Sequence, residues 1–152
     1  MHMHGVQTSK DRLNAPARRA LQGGCACFIA RKRARRLSRI YDAALAPHGL
    51  TSGQFSMLAA VAAAGAMTMR RLAEAMDMDQ STTSRGVAPL TKDGLLSVEA
   101  DARDARTRVL RLAPAGIERL NAAAETWAGV QAEIARQEDG RQEDGARQAS
   151  RA

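Results

Sequence analysis

Residues 80–85 place several hydrogen-bonding side chains at the start of a predicted helix. They are Gln80, Ser81, Thr82, Ser84 and Arg85. Amide, hydroxyl and guanidinium groups on the first turns of an exposed helix can bond base edges in the major groove of DNA, and free backbone N–H groups there favour phosphate. Ser and Thr at a helix start also act as ordinary caps. By themselves, these residues leave a base-reading helix and a capped surface helix as alternatives.

A second group able to contact nucleic acid is the run Asp-Ala-Arg-Asp-Ala-Arg at residues 101–106. Apolar residues alternate at 96–100 and again at 109–112, which predicts a β-hairpin with this run at its tip. Arg103, Arg106 and Arg108 lie at this tip, where an arginine can enter a narrow minor groove of DNA. The aspartates suit such a loop only if they hold an arginine in place through a bidentate carboxylate–guanidinium pair. A solvated charged turn is the alternative.

The elements that position these two groups follow from the apolar spacing and from residues that begin or end helices. Pro47, Gly65 and Gly94 end three predicted helices, Thr51 caps one, and Pro114 begins the last. The predicted helices cover about residues 25–46, 52–64, 69–76, 80–92 and 114–135. Two short helices, a tight turn and a hairpin make a winged helix-turn-helix at residues 51–112. The predicted fold class is mainly α with a small β-hairpin wing.

The positive charge of the chain is concentrated near its N-terminus. The formal net charge is +7, and the first 39 residues contain ten basic residues and one acidic residue. A polyanionic partner fits this distribution. Charge alone does not distinguish duplex DNA from RNA or from an anionic lipid surface.

The length and composition predict one domain in the cytoplasm. With 152 residues and 45% hydrophobic content, the core needs neither a metal nor a disulfide. No apolar stretch is long enough to span a membrane, and no secretory signal is recognisable. Cys25 and Cys27 are too close in sequence for an unstrained mutual disulfide, so free thiols in a reducing compartment are expected.

The two ends of the chain lack the periodicity of packed elements. Residues 1–24 include Pro16 and the pair Gly23-Gly24 and are predicted to be a flexible segment. From residue 136, the sequence Arg-Gln-Glu-Asp-Gly occurs twice in succession, and no apolar residue larger than Ala follows. Residues 136–152 are therefore predicted to be a disordered tail or a frayed helix.

Five short segments resemble the MarR family of multiple-antibiotic-resistance type regulators. They are residues 49–55, 72–76, 80–85, Leu90 with 93–95, and 104–106, in the order and spacing typical of that family. Together with the first predicted helix, the resemblance covers about residues 25–135.

The resemblance implies a repressor that binds a pseudo-palindromic operator in double-stranded DNA as a homodimer and is released by a small molecule or by cysteine oxidation. Ser81, Thr82, Ser84 and Arg85 would read bases and phosphates, Arg106 would be the wing-tip arginine, and Asp104 would orient it. Gln80 and Arg103 complete the predicted DNA-binding set. Long N- and C-terminal helices would form the dimer interface through their apolar stripes: Phe28, Ile29, Leu37, Ile40, Ile117, Leu120, Trp127, Val130 and Ile134.

Three departures from the family pattern are visible. Thr83 stands where an apolar residue is usual, and Ala113 replaces the usual Thr cap of the last long helix. The repeated tail replaces the usual C-terminal interface helix, which puts the stability of the dimer in question.

Other chemistries find little support in the sequence. No phosphate-binding glycine loop, metal-ligand cluster or nucleophile with a nearby base is recognisable, so neither an enzyme nor a cofactor is predicted. His2, His4 and His48 lack further ligands, so no metal site is predicted. Cys25 and Cys27 are expected to be inert, with a thiol redox sensor on the same scaffold as the alternative. An interaction module with weakened DNA binding is a further alternative, and the sequence does not identify an effector.

Overall fold

The computed structural model describes residues 12–20 and 25–149, with side chains described to residue 138. Contacts within the chain group it into two units, Met1–Arg39 and Ile40–Ala152, and the boundary between them lies within one helix. That helix is α2, which spans Ala26–Leu45, close to the predicted range of 25–46.

A short helix that the sequence analysis missed, α1, spans Ala15–Arg19. The side chain of Asn14 caps it by accepting a hydrogen bond from the backbone N–H of Ala17 at 2.9 Å. The segment predicted to be flexible includes Pro16, but this residue lies in the first turn of α1, where its fixed φ is favourable and its missing N–H costs nothing. The rest of the predicted flexible segment, residues 1–11 and 21–24, lies outside the described residues.

The second unit contains a winged helix-turn-helix. After a 3-10 turn (Ala46–His48) come α3 (Ser52–Ala64), β1 (Met67–Thr68), α4 (Met69–Ala75), α5 (Gln80–Lys92), β2 (Leu96–Ala100), β3 (Arg108–Leu112) and α6 (Pro114–Ala149). Thr51 caps α3 through a reciprocal pair of bonds with Gln54, of 3.2 and 2.9 Å. The mainly helical architecture with a small β wing confirms the predicted fold class.

The wing belongs to an antiparallel sheet of three strands rather than two. Strand β3 is central, with β2 on one side and β1 on the other. Strand β1 was not predicted, because it is only two residues long and exists through its pairing with β3, where Met67 lies opposite Leu110. This pairing attaches the wing to the segment that leads into α4.

A continuous apolar core lies beneath these elements. Leu58, Leu72, Leu90 and Leu110 are fully or almost fully buried and come from α3, α4, α5 and β3. Because one core joins the two short helices to the sheet, the faces of α5 and the wing that point outward are fixed relative to each other.

The last helix is longer than predicted. Helix α6 continues through the repeated sequence to Ala149, so the predicted end at residue 135 is wrong. The repeat supplies Arg, Gln and Glu, which favour helix, beside Asp and Gly, which do not, and the Glu133 carboxylate just before it accepts bonds from Arg136 at 2.6 Å and Gln137 at 2.8 Å.

The start of α6 is fixed without the usual Thr cap. Ala113 donates its backbone N–H to the carbonyl oxygen of Leu95 at 3.0 Å, and Pro114, which follows it, has no N–H that needs an acceptor. Gly116 lies against the same carbonyl group: a Cβ added to it would be 2.1 Å from the Leu95 oxygen. Only glycine allows α6 to approach Leu95, the residue just before β2, so closely.

Candidate nucleic-acid interface

Helices α4 and α5 form the helix-turn-helix, with α5 as the second, outward-facing helix. Leu72 and Ala73 of α4 and Val87 and Leu90 of α5 are buried on their inner faces. The turn between them includes Asp77 with φ of 51°, a left-handed conformation that aspartate tolerates better than most residues. Helix α5 has the predicted bounds, Gln80–Lys92.

The residues that the sequence analysis selected on α5 lie on its outer face. Gln80, Ser81, Ser84 and Arg85 are exposed, and Thr82 is half-buried at the edge of the same surface. Their amide, hydroxyl and guanidinium groups therefore form one polar face that a major groove can accommodate.

Thr83, the departure from the family pattern, is fully buried on the opposite face of α5. Its hydroxyl donates a hydrogen bond to the carbonyl oxygen of Asp79 at 2.9 Å. Because the only polar group of the side chain is satisfied within the helix, its methyl group can pack in the core at little cost.

Asp79, which was not among the predicted site residues, bonds three groups at the start of α5. Its Oδ1 accepts bonds from the backbone N–H of Thr82 and from the Ser81 hydroxyl, each at 2.7 Å. Its Oδ2 accepts a bond from the Thr82 hydroxyl, also at 2.7 Å. An Asp directly before a predicted helix is a capping signal and could have revealed this role.

These bonds have an electrostatic consequence for Asp79. The backbone N–H of Thr82, followed by the hydroxyls of Ser81 and Thr82, holds the pKa of this carboxyl well below its usual value. The group is therefore ionised at neutral pH. The expectation that free N–H groups at this helix start favour phosphate needs correction, because a carboxylate of the protein already lies there.

The tip of the wing is shaped by two successive aspartate turns. Asp101 accepts a bond from the backbone N–H of Arg103 at 2.7 Å, and Asp104 accepts one from the backbone N–H of Arg106 at 3.0 Å. A further bond of 3.0 Å joins the Thr107 hydroxyl to Asp104. The two Asp-Ala-Arg triplets thus adopt the same local bonding.

The expected bidentate pair between an aspartate and a tip arginine is not what the structure places here. Asp104 holds Arg106 through the backbone, and in the described part of the chain its carboxylate bonds the loop rather than a guanidinium. The Arg103 and Arg106 side chains are exposed. The two aspartates therefore fix the conformation of the loop backbone. The side chains of Arg103 and Arg106 remain exposed at the tip.

Residues of the predicted dimer interface are largely solvent-exposed on the single chain. In α2, Phe28 and Ile29 are each 53% exposed and Leu37 is half-buried. In the second unit Ile40, Ile117 and Trp127 are 36, 48 and 38% exposed. The remaining three, Leu120, Val130 and Ile134, are half-buried. Such exposure of large apolar side chains marks surfaces that a partner can cover.

A cavity of about 220 Å³ lies beside Trp127 in the second unit. Phe55 stacks on Trp127 with ring centroids 5.8 Å apart, and Tyr41, also in the lining, bonds Gln131. Leu45, Ser52 and Ser56 complete the lining. The sequence did not identify an effector or a pocket, so this mixture of aromatic rings and hydroxyls is a finding of the structure.

Cys25 and Cys27 are both free and exposed, so both thiols are accessible to solvent. Within residues 12–20 and 25–149, no group of three or more acidic, His or Cys side chains is placed to hold a metal. No helix in that part of the chain is long and apolar enough to cross a membrane.

The helix-turn-helix, its polar outer face and the arginine-bearing wing define a winged helix-turn-helix DNA-binding protein. The MarR family model matches residues 48–107. The transcriptional regulator MosR from M. tuberculosis, whose structure was solved in complex with DNA, is 41% identical in sequence to this chain. The matched region covers 72% of this chain and 80% of the MosR chain, and the TM-score is 0.66. The chain belongs to the MarR family.

Two further solved structures support the fold at lower identity. A mutant of MarR from E. coli in complex with operator DNA is 18% identical, over 70% of this chain and 76% of that one, with a TM-score of 0.65. BpsR from Bordetella bronchiseptica, whose structure concerns regulation of its DNA binding by 6-hydroxynicotinic acid, is 23% identical over 72% and 78%, with a TM-score of 0.65. No curated protein matches the chain. As a member of this family, the chain is a DNA-binding transcription regulator.

Proposed function

We propose that this regulator is a repressor that binds a pseudo-palindromic operator as a homodimer and is released by a small molecule. The observation that carries the proposal is the presence, on one rigid unit, of an outward polar face on α5 and an arginine-bearing wing tip. Acting on the chromosome, it works in the cytoplasm. The proposed DNA contacts are Gln80, Ser81, Thr82, Ser84, Arg85, Arg103 and Arg106, and Asp104 holds the loop that carries the last of them.

Replacing Arg106 by Ala is expected to weaken operator binding by about 1–3 kcal/mol, because an exposed guanidinium at the wing tip is lost. Asp104→Ala should weaken it less, since Asp104 bonds the loop backbone and its loss only loosens the tip. Arg111→Ala is the matched control on the same hairpin, because Arg111 pairs with Glu99 at 3.3 Å. Fluorescence anisotropy at fixed salt measures all three. Wild-type affinity in Arg106→Ala would exclude the wing from the interface.

The homodimer is proposed from the exposed apolar side chains of α2 and α6. One chain presents one α5, whereas two copies spaced by about one DNA turn, ~34–36 Å, share an operator and gain affinity. Large apolar residues such as Phe28, Ile29 and Ile117 are unlike the rest of a charged surface and would be covered by the partner.

Removing the residues after Gln137 is expected to leave both the dimer and DNA binding intact. That segment contains no apolar residue larger than Ala, whereas the predicted interface ends at Ile134. Light scattering over a concentration series, on the full chain and the truncated one, measures the oligomeric state. Ile117→Glu is the control and should give monomers, because it places a charge in the covered surface. A dimer lost on truncation would place the end of α6 in the interface.

Release by a small molecule is proposed from the cavity beside Trp127. Its volume of about 220 Å³ is below the ~300–1,000 Å³ typical of ligand pockets, which favours a compact ligand. The stacked rings of Phe55 and Trp127 offer an aromatic wall, and the hydroxyls of Ser52 and Ser56 offer polar groups. BpsR, whose DNA binding is regulated by a small heteroaromatic acid, supports this proposal by analogy.

The single tryptophan makes this proposal testable. A ligand that enters the cavity is expected to change Trp127 fluorescence and to dissociate the operator complex over the same concentration range. Ser56→Leu should fill the cavity, and we expect this variant to bind operator but to show neither response. A panel of single-ring aromatic acids is a suitable first set. Ligands that dissociate DNA with unchanged fluorescence would place the effector site elsewhere.

A further inference from the structure

We propose that Asp79 is a specificity-determining residue: its carboxylate turns the hydroxyls of Ser81 and Thr82 into hydrogen-bond acceptors, so that the start of α5 selects the amino groups of adenine or cytosine. The inference rests on the proposed function, in which α5 enters the major groove, and adds the chemistry by which the groove is read. It concerns the site already described and requires no additional ligand.

The protons of the two hydroxyls are already used within the protein. Each hydroxyl has one proton to donate, and an ionised carboxylate can only accept. Because the Ser81 and Thr82 oxygens each lie 2.7 Å from an oxygen of Asp79, both protons are directed at the carboxylate. What each hydroxyl still offers to DNA is therefore its lone pairs. Thr82 has fewer of these available than Ser81, since its oxygen also accepts a bond from Arg85 at 3.1 Å.

The consequence for base recognition follows from the edges that DNA presents. In the major groove, the N6 amino group of adenine and the N4 amino group of cytosine donate, whereas guanine N7 and O6, thymine O4 and phosphate oxygens accept. Hydroxyls without a free proton bond the amino groups and are repelled by the others. Arg85, whose other N–H groups remain, is left to bond guanine or phosphate. The start of α5 thus offers hydrogen-bond acceptors at Ser81 and Thr82 and hydrogen-bond donors at Arg85.

The charge of Asp79 has a second effect on the same interface. A carboxylate at the helix start opposes close approach of phosphate, so it lowers the affinity for any DNA that does not satisfy the hydroxyls. This increases the difference between the operator and unrelated sequences, at the cost of absolute affinity.

Asp79→Asn tests the proposal with little change of shape. The Asn carbonyl oxygen, in the place of Oδ1, can still accept from the Thr82 N–H and the Ser81 hydroxyl, but the amide NH₂ in the place of Oδ2 donates, so the Thr82 hydroxyl regains its proton for DNA. Selection of bound oligonucleotides from a random pool should then show the adenine or cytosine preference of the wild type reduced about tenfold, or replaced by guanine or thymine, at the position that Thr82 reads. Asp93→Asn, which removes one negative charge just after the end of α5, is the matched control. It should keep the wild-type base preference.

A second variant keeps the carboxylate and removes the hydroxyls. Ser81→Ala with Thr82→Val retains the cap of Asp79 on the backbone and should lose the same preference, even if Asp79→Asn proves unstable in thermal melting. Unchanged base selection in this double variant, or in a folded Asp79→Asn, would overturn the proposal while leaving the regulator's DNA binding in place. A wild type that enriches no sequence at all would instead overturn the proposed operator binding itself.

Discussion

Operator binding is expected to weaken about a thousandfold or more when the salt concentration is raised from 50 to 200 mM. Each chain presents Arg85, Arg103 and Arg106 on exposed parts of α5 and the wing, so a dimer offers at least six cations to phosphates. Each neutralised phosphate releases counterions, and the logarithm of the affinity falls with that of the salt concentration with a slope of about −0.9 per contact. Six contacts give the expected loss.

The measurement is an anisotropy titration of labelled operator at a series of KCl concentrations. Arg103→Ala combined with Arg106→Ala should make the slope shallower by about 0.9 for every phosphate contact that disappears. Arg136→Ala is the control, because Arg136 lies on α6, where it pairs with Glu133 at 2.6 Å, and its loss should leave the slope unchanged. An affinity that does not vary with salt would be incompatible with binding through these arginines.

Replacing Gly116 by Ala is expected to lower the free energy of unfolding by about 3 kcal/mol, the upper part of the range for an overpacked core. The added Cβ would lie 2.1 Å from the Leu95 carbonyl oxygen and 2.9 Å from a methyl carbon of Leu112. The first of these atoms is backbone and cannot turn away as a side chain would. Either α6 or the segment leading into β2 must move, and the bond between Ala113 and Leu95 is strained with it.

Gly129→Ala in the same helix is the matched control. No atom lies within 4 Å of a Cβ added there, so this change should stabilise the protein by up to about 1 kcal/mol, the usual preference of a helix for Ala over Gly. Urea unfolding at one fixed protein concentration measures both, since the stability of a dimer depends on concentration. Equal stability of the two variants would show that α6 can shift freely against Leu95. A destabilised Gly129→Ala would instead point to a surface that a partner covers.

Local signals in the sequence were sufficient to predict most elements of the winged helix-turn-helix. The cap at Thr51, the glycine after α5 and the change of period from helix to strand each depend on neighbouring residues, and they predict α3, α5, β2 and β3 nearly as the structure has them. The MarR resemblance was confirmed for the same reason, since the residues that carry it lie within these elements. Polar residues at the start of α5 were recognisable because a capped helix with an exposed face has a pattern of its own.

Tertiary structure decided the features that depend on residues distant in sequence or on the choice of hydrogen-bond partner. Strand β1 forms only because β3 lies beside it, and Gly116 is required only because α6 meets Leu95. The sequence cannot say which atom an aspartate bonds: Asp104 was expected to hold a guanidinium but bonds the loop, and Asp79 collects the hydroxyls of Ser81 and Thr82. Such choices follow from distances of a few ångströms that periodicity does not encode, because hydrogen bonds depend steeply on geometry whereas apolar burial depends mainly on area.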